Sequence, residues 1–300
     1  MYRNFEDLIK KRLDLNGSPK KLILAGAEDA HALEAVFMAQ AKGYISPVLV
    51  GDKDKIVKII ENIGAEEQHF DIFHCAEKDN PGEIAVKLIK ENQGDFIMKG
   101  RLDTKSLLKP ILQRDKGLNK NGFITHFGLM ELKNYHKLLA MSDCAVIPYP
   151  SFKDKVRILE IVFEALKKLG YSKPVAGALC AAEAISDKMP ETIEANKLQE
   201  LSNEGYFKDG IVVGPISLDL ALSKESAMVK GYESPYAGDV DMLLVPQMVT
   251  GNVMSKIWNS DSENILAGCV LGADVPIVLT SRSASTDEKL HSIILCALLC

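Results

Sequence analysis

The sequence predicts an α/β fold built on a largely parallel sheet. Short apolar runs such as Leu22–Ala25 and Phe96–Met98 lack the polar alternation of half-exposed strands, so they fit strands covered on both faces. Stretches of helical period separate these runs. The alternation persists along 300 residues, a length that suits about two domains.

Taken in order, Leu22–Ala25 reads as a strand and His31–Ala41 as the helix after it. Pro47–Gly51 and Lys55–Ile63 repeat the pair, followed by Phe70–Phe73, Glu83–Glu91 and Phe96–Met98. A helix over Leu107–Gln113 and a strand through Ile124–Phe127 come next. Cys144–Ile147 is apolar enough for a strand, and Asp154–Gly170 is a long helix closed by glycine. Val175–Leu179, Ile211–Val213, Met242–Val245 and Pro276–Leu279 complete the strands, and the last helix starts near Thr286. Gly251 and Asn252 are expected to start a helix that carries Lys256.

Composition narrows the function. Charged residues are 26% and hydrophobic residues 47%, the balance of a folded globular chain. The net charge of -5 disfavours nucleic acid as a partner. Apolar runs are too short to span a bilayer, and the charged, amphipathic start is not the pattern of a signal peptide. Six scattered cysteines without a Cys-x-x-Cys pair suit free thiols in a reducing cytoplasm. The six histidines show no metal-ligand spacing, so no metal site is expected.

Ligands in such sheets bind beyond the carboxyl ends of strands, so the loops there carry the chemistry. Met98–Ser106 places Gly100, hydroxyls and three cations around a helix start, a setting for an anion; Asp103 or Thr104 also serves as a plain cap. Thr280–Glu288 sets Arg282 among hydroxyls before the last helix, and Ser285-x-x-Glu288 is a capping box. In the Gly210–Ser223 stretch Asp219 fits a helix cap better than a ligand contact.

The chain resembles the phosphate acetyltransferase/phosphate butyryltransferase family, with the butyryl branch nearer. The resemblance rests on Met98-Lys99-Gly100 with Thr104, Thr125-His126, Ser142–Pro150, Lys188–Pro190, Gly214–Ala221, Gly251–Met254 and Thr280-Ser281-Arg282, in order along nearly the whole chain. It implies two three-layer α/β/α domains with an interdomain cleft, as in isocitrate and isopropylmalate dehydrogenases. The expected division is 1–145 plus 267–300 in one domain and 146–266 in the other. The resemblance also implies a cytoplasmic homo-oligomer, at least a dimer. It would need no bound cofactor, and coenzyme A and phosphate would be its small-molecule substrates.

By the same resemblance, Ser281 and Arg282 bind the phosphoryl and carbonyl oxygens. Thr104 is the loop hydroxyl and Lys105 replaces a second one. Gly100 and Asn252 complete the phosphate contacts, and Glu288 occupies the position of a proposed catalytic carboxylate. Magnitudes favour charge stabilisation over a base. A thiol of pKa about 8.5 is already a few per cent ionised at neutral pH, so full deprotonation supplies only about 2 kcal/mol. One oxyanion donor is worth about 2.7–4 kcal/mol. The expected mechanism is direct transfer: the coenzyme A thiolate attacks the acyl phosphate carbonyl, Arg282 and Ser281 hold the oxyanion, and Thr104 holds the departing phosphate. Rival readings are the acetyl branch, a non-catalytic coenzyme A or phosphate binder, and a metal- and NAD-dependent dehydrogenase using Asp239 and Asp241.

Overall fold

The computed structural model describes residues 2–13, 18–66, 68–119, 122–281 and 284–300. The elements run α1 (Phe5–Leu13), β1 (Lys20–Ala25), α2 (Ala30–Ala41), β2 (Ile45–Gly51), α3 (Lys53–Asn62), β3 (Asp71–His74), α4 (Pro81–Lys90), β4 (Phe96–Lys99) and α5 (Thr104–Ile111). They continue β5 (Thr125–Glu131), β6 (Leu139–Ser142), α6 (Phe152–Lys168), β7 (Val175–Leu179), α7 (Pro190–Asn203), β8 (Ile211–Ile216), α8 (Leu218–Leu222) and α9 (Lys224–Val229). The last are β9 (Met242–Leu244), α10 (Met248–Asn259), β10 (Ile265–Leu271), β11 (Ile277–Val278) and α11 (Thr286–Leu299). The fold is mixed α/β.

The chain divides into two compact units, Met1–Lys10 with Thr125–Leu266, and Lys11–Ile124 with Ala267–Cys300. The expected division shares the return at 267 and differs over residues 125–145 and the first ten. Those segments have local reasons to lie where they do. β6 pairs with β9 in parallel register, Ala140 opposite Met242, and the Tyr2 hydroxyl donates to Leu169 O at 2.7 Å.

In the unit of Lys11–Ile124 and Ala267–Cys300 the strand order is β3-β2-β1-β4-β11-β10, parallel except for the β11–β10 pair. Strands β1 and β4 carry Leu22, Ile23, Leu24, Phe96, Ile97 and Met98 with no exposed surface, which is why their sequences read as unbroken apolar runs. α11 is buried along nearly its whole length and packs on α2, so its apolar residues form no stripe. Side-chain caps start its helices: Asp29 accepts from Ala32 N, Asp103 from Ser106 N and Ser285 from Glu288 N.

In the other unit the order is β5-β6-β9-β7-β8, parallel apart from β5–β6. Its core includes Met141, Val175, Ile216, Leu220, Val240 and Leu243. Three expectations change here. Cys144–Ile147 is not a strand, because Asp143 bonds Ala145 N and Val146 N and turns the chain. α10 starts at Met248, so Gly251 and Asn252 lie inside it rather than at its start. Ser217, not Asp219, is the N-cap residue of α8; Asp219 accepts from the Ser217 hydroxyl at 2.7 Å and pairs with Lys230 at 2.9 Å.

Candidate active site

Adjacent parallel strands β1, β4 and β11 end side by side, with Ala25 opposite Lys99 and Met98 opposite Val278. The chain leaves β1 toward β2 on one side, while β4 lies on the other. That is a topological switch point, the place where α/β sheets bind ligands. The loops after these three strands line an open cavity of about 670 Å3 whose walls include Gly100, Thr280 and Ser281.

The charges around this cavity are unequal in availability. Its carboxylates are Glu28, Asp29 and Asp103. Asp29 accepts from Ala32 N at 3.0 Å, Glu28 from Asp52 N at 2.6 Å, and Asp103 from Ser106 N at 2.9 Å and from its hydroxyl at 2.6 Å. The Ser106 bonds hold the Asp103 carboxyl below its ordinary value. Each carboxylate is therefore committed to a backbone donor. The cations are Lys99, Arg101 and Lys289, and Lys99 and Lys289 are only 8% and 4% exposed. Lys99 Nζ reaches Gly100 O at 3.4 Å and Leu102 O at 3.3 Å. Two buried ammonium groups beside Ser281 make the cavity a place for an anion.

Gly100 has a packing reason of its own. A Cβ there would stand 2.1 Å from Gly26 O, so only glycine lets β4 leave past the end of β1. Its N–H is spent on Ala25 O at 2.9 Å, and that of Arg101 on Gly26 O at 2.7 Å. The loop therefore offers an anion side chains rather than these two amides. Asp103 is the cap, and Thr104 is the exposed first residue of α5. Neither Thr104 nor Lys105 is among the residues that line the cavity.

The remaining expected residues are placed as follows. Ser281 is exposed and lines the cavity. Arg282 lies outside the described residues. Glu288 is half-buried in the first turn of α11, where its N–H donates to Ser285 Oγ at 3.1 Å. Asn252 belongs to the other unit, and its amide donates to Cys144 O at 3.1 Å. Asp239 and Asp241, the carboxylates of the dehydrogenase reading, are committed to Lys137. This fully buried ammonium donates to Asp241 Oδ1 at 2.7 Å and lies 3.0 Å from Asp239 Oδ1. Asp241 also accepts from Val175 N at 2.9 Å.

Lys289 lines the cavity and is not singled out by sequence reasoning, whereas Lys99 is one of the three cations of the Met98–Ser106 loop, whose burial the sequence does not display. A lysine directly after an apolar strand, and another in the first turn of a helix, are the available signals. Asp143 escapes it too. It is 1% exposed, and its Oδ2 accepts from Thr125 Oγ1 at 2.7 Å and His126 N at 2.8 Å. Its Oδ1 accepts from Ala145 N at 2.8 Å and Val146 N at 2.7 Å. Thr125 Oγ1 also meets Ser142 Oγ at 3.0 Å.

Beside this network the His126 Nδ1 is shut off from solvent and finds no hydrogen-bond partner among the described residues. Burial pushes the imidazole below its ordinary value, against an opposing pull from Asp143. The unfolded chain then binds a proton that the folded chain resists. This contribution to stability is full above about pH 6.5 and falls as the pH drops through that value. Denaturant midpoints measured from about pH 7.5 to pH 5 should fall more steeply for the wild type than for His126→Gln. Parallel curves would show that His126 does not titrate across the transition.

A larger cavity, about 800 Å3, borders β8 in the other unit. Its polar side chains serve the sheet edge: Gln199 Oε1 accepts from Gly214 N at 3.0 Å and Ser202 Oγ from Val212 N at 2.9 Å. They satisfy an edge strand rather than converge on a ligand.

A cavity with buried cationic donors at the switch point of a parallel sheet is the setting of a small-molecule-binding protein of the α/β class. Residues 77–297 match the phosphate acetyl/butaryl transferase family, and the chain belongs to that family. It is 35% identical to the phosphate butyryltransferase of Clostridium acetobutylicum over 300 residues, covering 99% of this chain and 98% of that protein. It is 34% identical to the phosphate acetyltransferase of Thermotoga maritima over 281 residues, covering 94% and 95%. The crystal structure of a branched-chain phosphotransacylase from Enterococcus faecalis superposes with a TM-score of 0.82 at 28% identity, covering 93% of this chain and 98% of that one. Among the described residues no helix is long and apolar enough to cross a membrane.

Proposed function

We propose that the protein exchanges short-chain acyl groups between coenzyme A and phosphate, with a preference for butyryl or branched short-chain groups. The observation that carries this reading is the cavity at the switch point that Gly100, Ser281 and the buried Lys99 and Lys289 line together. Family membership supports the same chemistry. Relatives named for butyryl and for acetyl transfer stand at 35% and 34% identity, so identity does not choose between them.

Direct transfer is the mechanism. In the direction of acyl-CoA formation the thiolate sulfur bonds the carbonyl carbon of the acyl phosphate. Ser281 and Arg282 stabilise the oxyanion, and the carbon–oxygen bond to phosphate then breaks. Thr104 and Lys105 are carried in this reading as phosphate contacts, and Gly100 shapes the cavity wall. No enzyme nucleophile is needed, and the buried thiols are poor ones: burial pushes Cys180 up to about 12 and Cys144 higher still. Coenzyme A acts as a substrate that comes and goes. The reading also takes the enzyme as a cytoplasmic homo-oligomer and each unit as a three-layer α/β/α body of the isocitrate/isopropylmalate dehydrogenase kind.

The test is metal-free acyl transfer to phosphate from acetyl-, propionyl-, butyryl- and isobutyryl-CoA, followed by release of the coenzyme A thiol. Turnover rising toward four carbons supports the proposal. Preference for acetyl moves the enzyme to the acetyl branch. Binding of coenzyme A without turnover on any substrate makes the chain a non-catalytic relative.

A further inference from the structure

We propose that Lys289 binds the phosphate group of the reaction, as a buried ammonium whose counter-charge arrives with the substrate. This rests on the phosphate acyltransferase reading and assigns to it a residue outside the Ser281–Arg282 pair.

The first support is an imbalance among the buried lysines. Lys137 has Asp239 and Asp241, and Lys155 has Glu194. Lys289 is as deeply buried, yet it donates to Ala284 O at 2.5 Å, and among the described residues no carboxylate pairs with it. An ammonium has three donors, and burying one without a counter-charge is costly. The second support is its position. Lys289 is the fourth residue of α11, in the turn where the helix dipole opposes a cation. Packing alone would be served better there by methionine. The third is what it faces: the cavity lined also by Ser281 and Lys99, whose carboxylates are committed to backbone donors. Phosphate as a dianion supplies what Lys289 lacks, a paired negative charge and several acceptor oxygens within one compact group. Lys99, at the end of β4, is the second ammonium lining that cavity.

The experiment compares wild type, Lys289→Met and Lys289→Arg, with inorganic phosphate as the probe in thermal unfolding and in acyl transfer. Phosphate should raise the unfolding temperature of the wild type by mass action and leave Lys289→Met nearly unmoved. Without phosphate, Lys289→Met should unfold at the same temperature as the wild type or higher, since an uncompensated charge has gone. The KM for phosphate should rise about ten- to a hundredfold in Lys289→Met, with the KM for acyl-CoA unchanged and part of the loss restored in Lys289→Arg. If Lys289→Met does not fold, Lys289→Gln replaces it. An undiminished phosphate shift with an unchanged KM for phosphate overturns the assignment. So does a wild type that phosphate does not stabilise. A wild type that transfers no acyl group but is stabilised by phosphate only when Lys289 is present keeps the assignment and sinks the acyltransferase reading.

Discussion

Arg282→Ala is expected to lower the rate of acyl transfer about a hundredfold or more while leaving the fold intact. The negative charge that develops on the carbonyl oxygen is the event most in need of a donor, and a guanidinium one residue along from the Ser281 hydroxyl offers charge and direction together. The neighbourhood is already arranged for this. Ser281 lines a cavity whose wall also carries Lys99, Arg101 and Lys289, which offer donors to an anion there. Glu288→Gln should lose much less. The Glu288 N–H is tied to the Ser285 hydroxyl at the start of α11, and glutamine keeps the shape of the turn. Even complete loss of a base that ionises the thiol costs only about 2 kcal/mol. Single-turnover rates for the two variants decide the ranking. A larger loss for Glu288→Gln would make proton transfer from the thiol the main catalytic term and reverse that ranking.

What could be read from the sequence follows burial. Leu22–Ala25 and Phe96–Met98 became β1 and β4 because strands covered on both faces leave no polar interruption to hide them. The Ser285 cap was legible because its signature is local. β10 was missed because Gly268 breaks its apolar run and its first two residues are half-buried. α7 was missed because it buries only Thr192, Ala195 and Leu198 along a polar helix. Cys144–Ile147 has the apolar content of a strand, and the deciding group, the Asp143 carboxylate, acts through backbone bonds that composition does not display. The same limit applies at the cavity. Gly100 and Ser281 were found because glycine and hydroxyls at strand ends have a known use. Lys289 was not, because lysine is usually solvated and its burial depends on packing from distant elements.

Asp143→Ala is expected to be strongly destabilising for the unit that holds Thr125–Leu266. The buried carboxylate satisfies the Thr125 hydroxyl and the backbone N–H groups of His126, Ala145 and Val146 at 2.7–2.8 Å. Alanine takes the acceptor from the N–H groups of His126, Ala145 and Val146, while the Thr125 hydroxyl keeps Ser142 Oγ at 3.0 Å. Each unsatisfied donor costs about 1–3 kcal/mol, and relaxation of the turn after β6 recovers part of the sum. A net loss of about 3 kcal/mol or more follows, near the upper end for single substitutions. For a unit of roughly 150 residues that corresponds to a fall of about 6–12 °C in its unfolding temperature. Asp143→Asn should lose less. Its remaining oxygen can serve the Ala145 and Val146 amides, while its NH2 group can donate to Thr125 Oγ1, leaving His126 N–H as the main unpaired donor. The order Ala, then Asn, then wild type in rising stability therefore tests the bonding pattern itself rather than the mere presence of a polar side chain. Equal losses for the two variants would mean that the charge of Asp143, and not its four bonds, holds the turn.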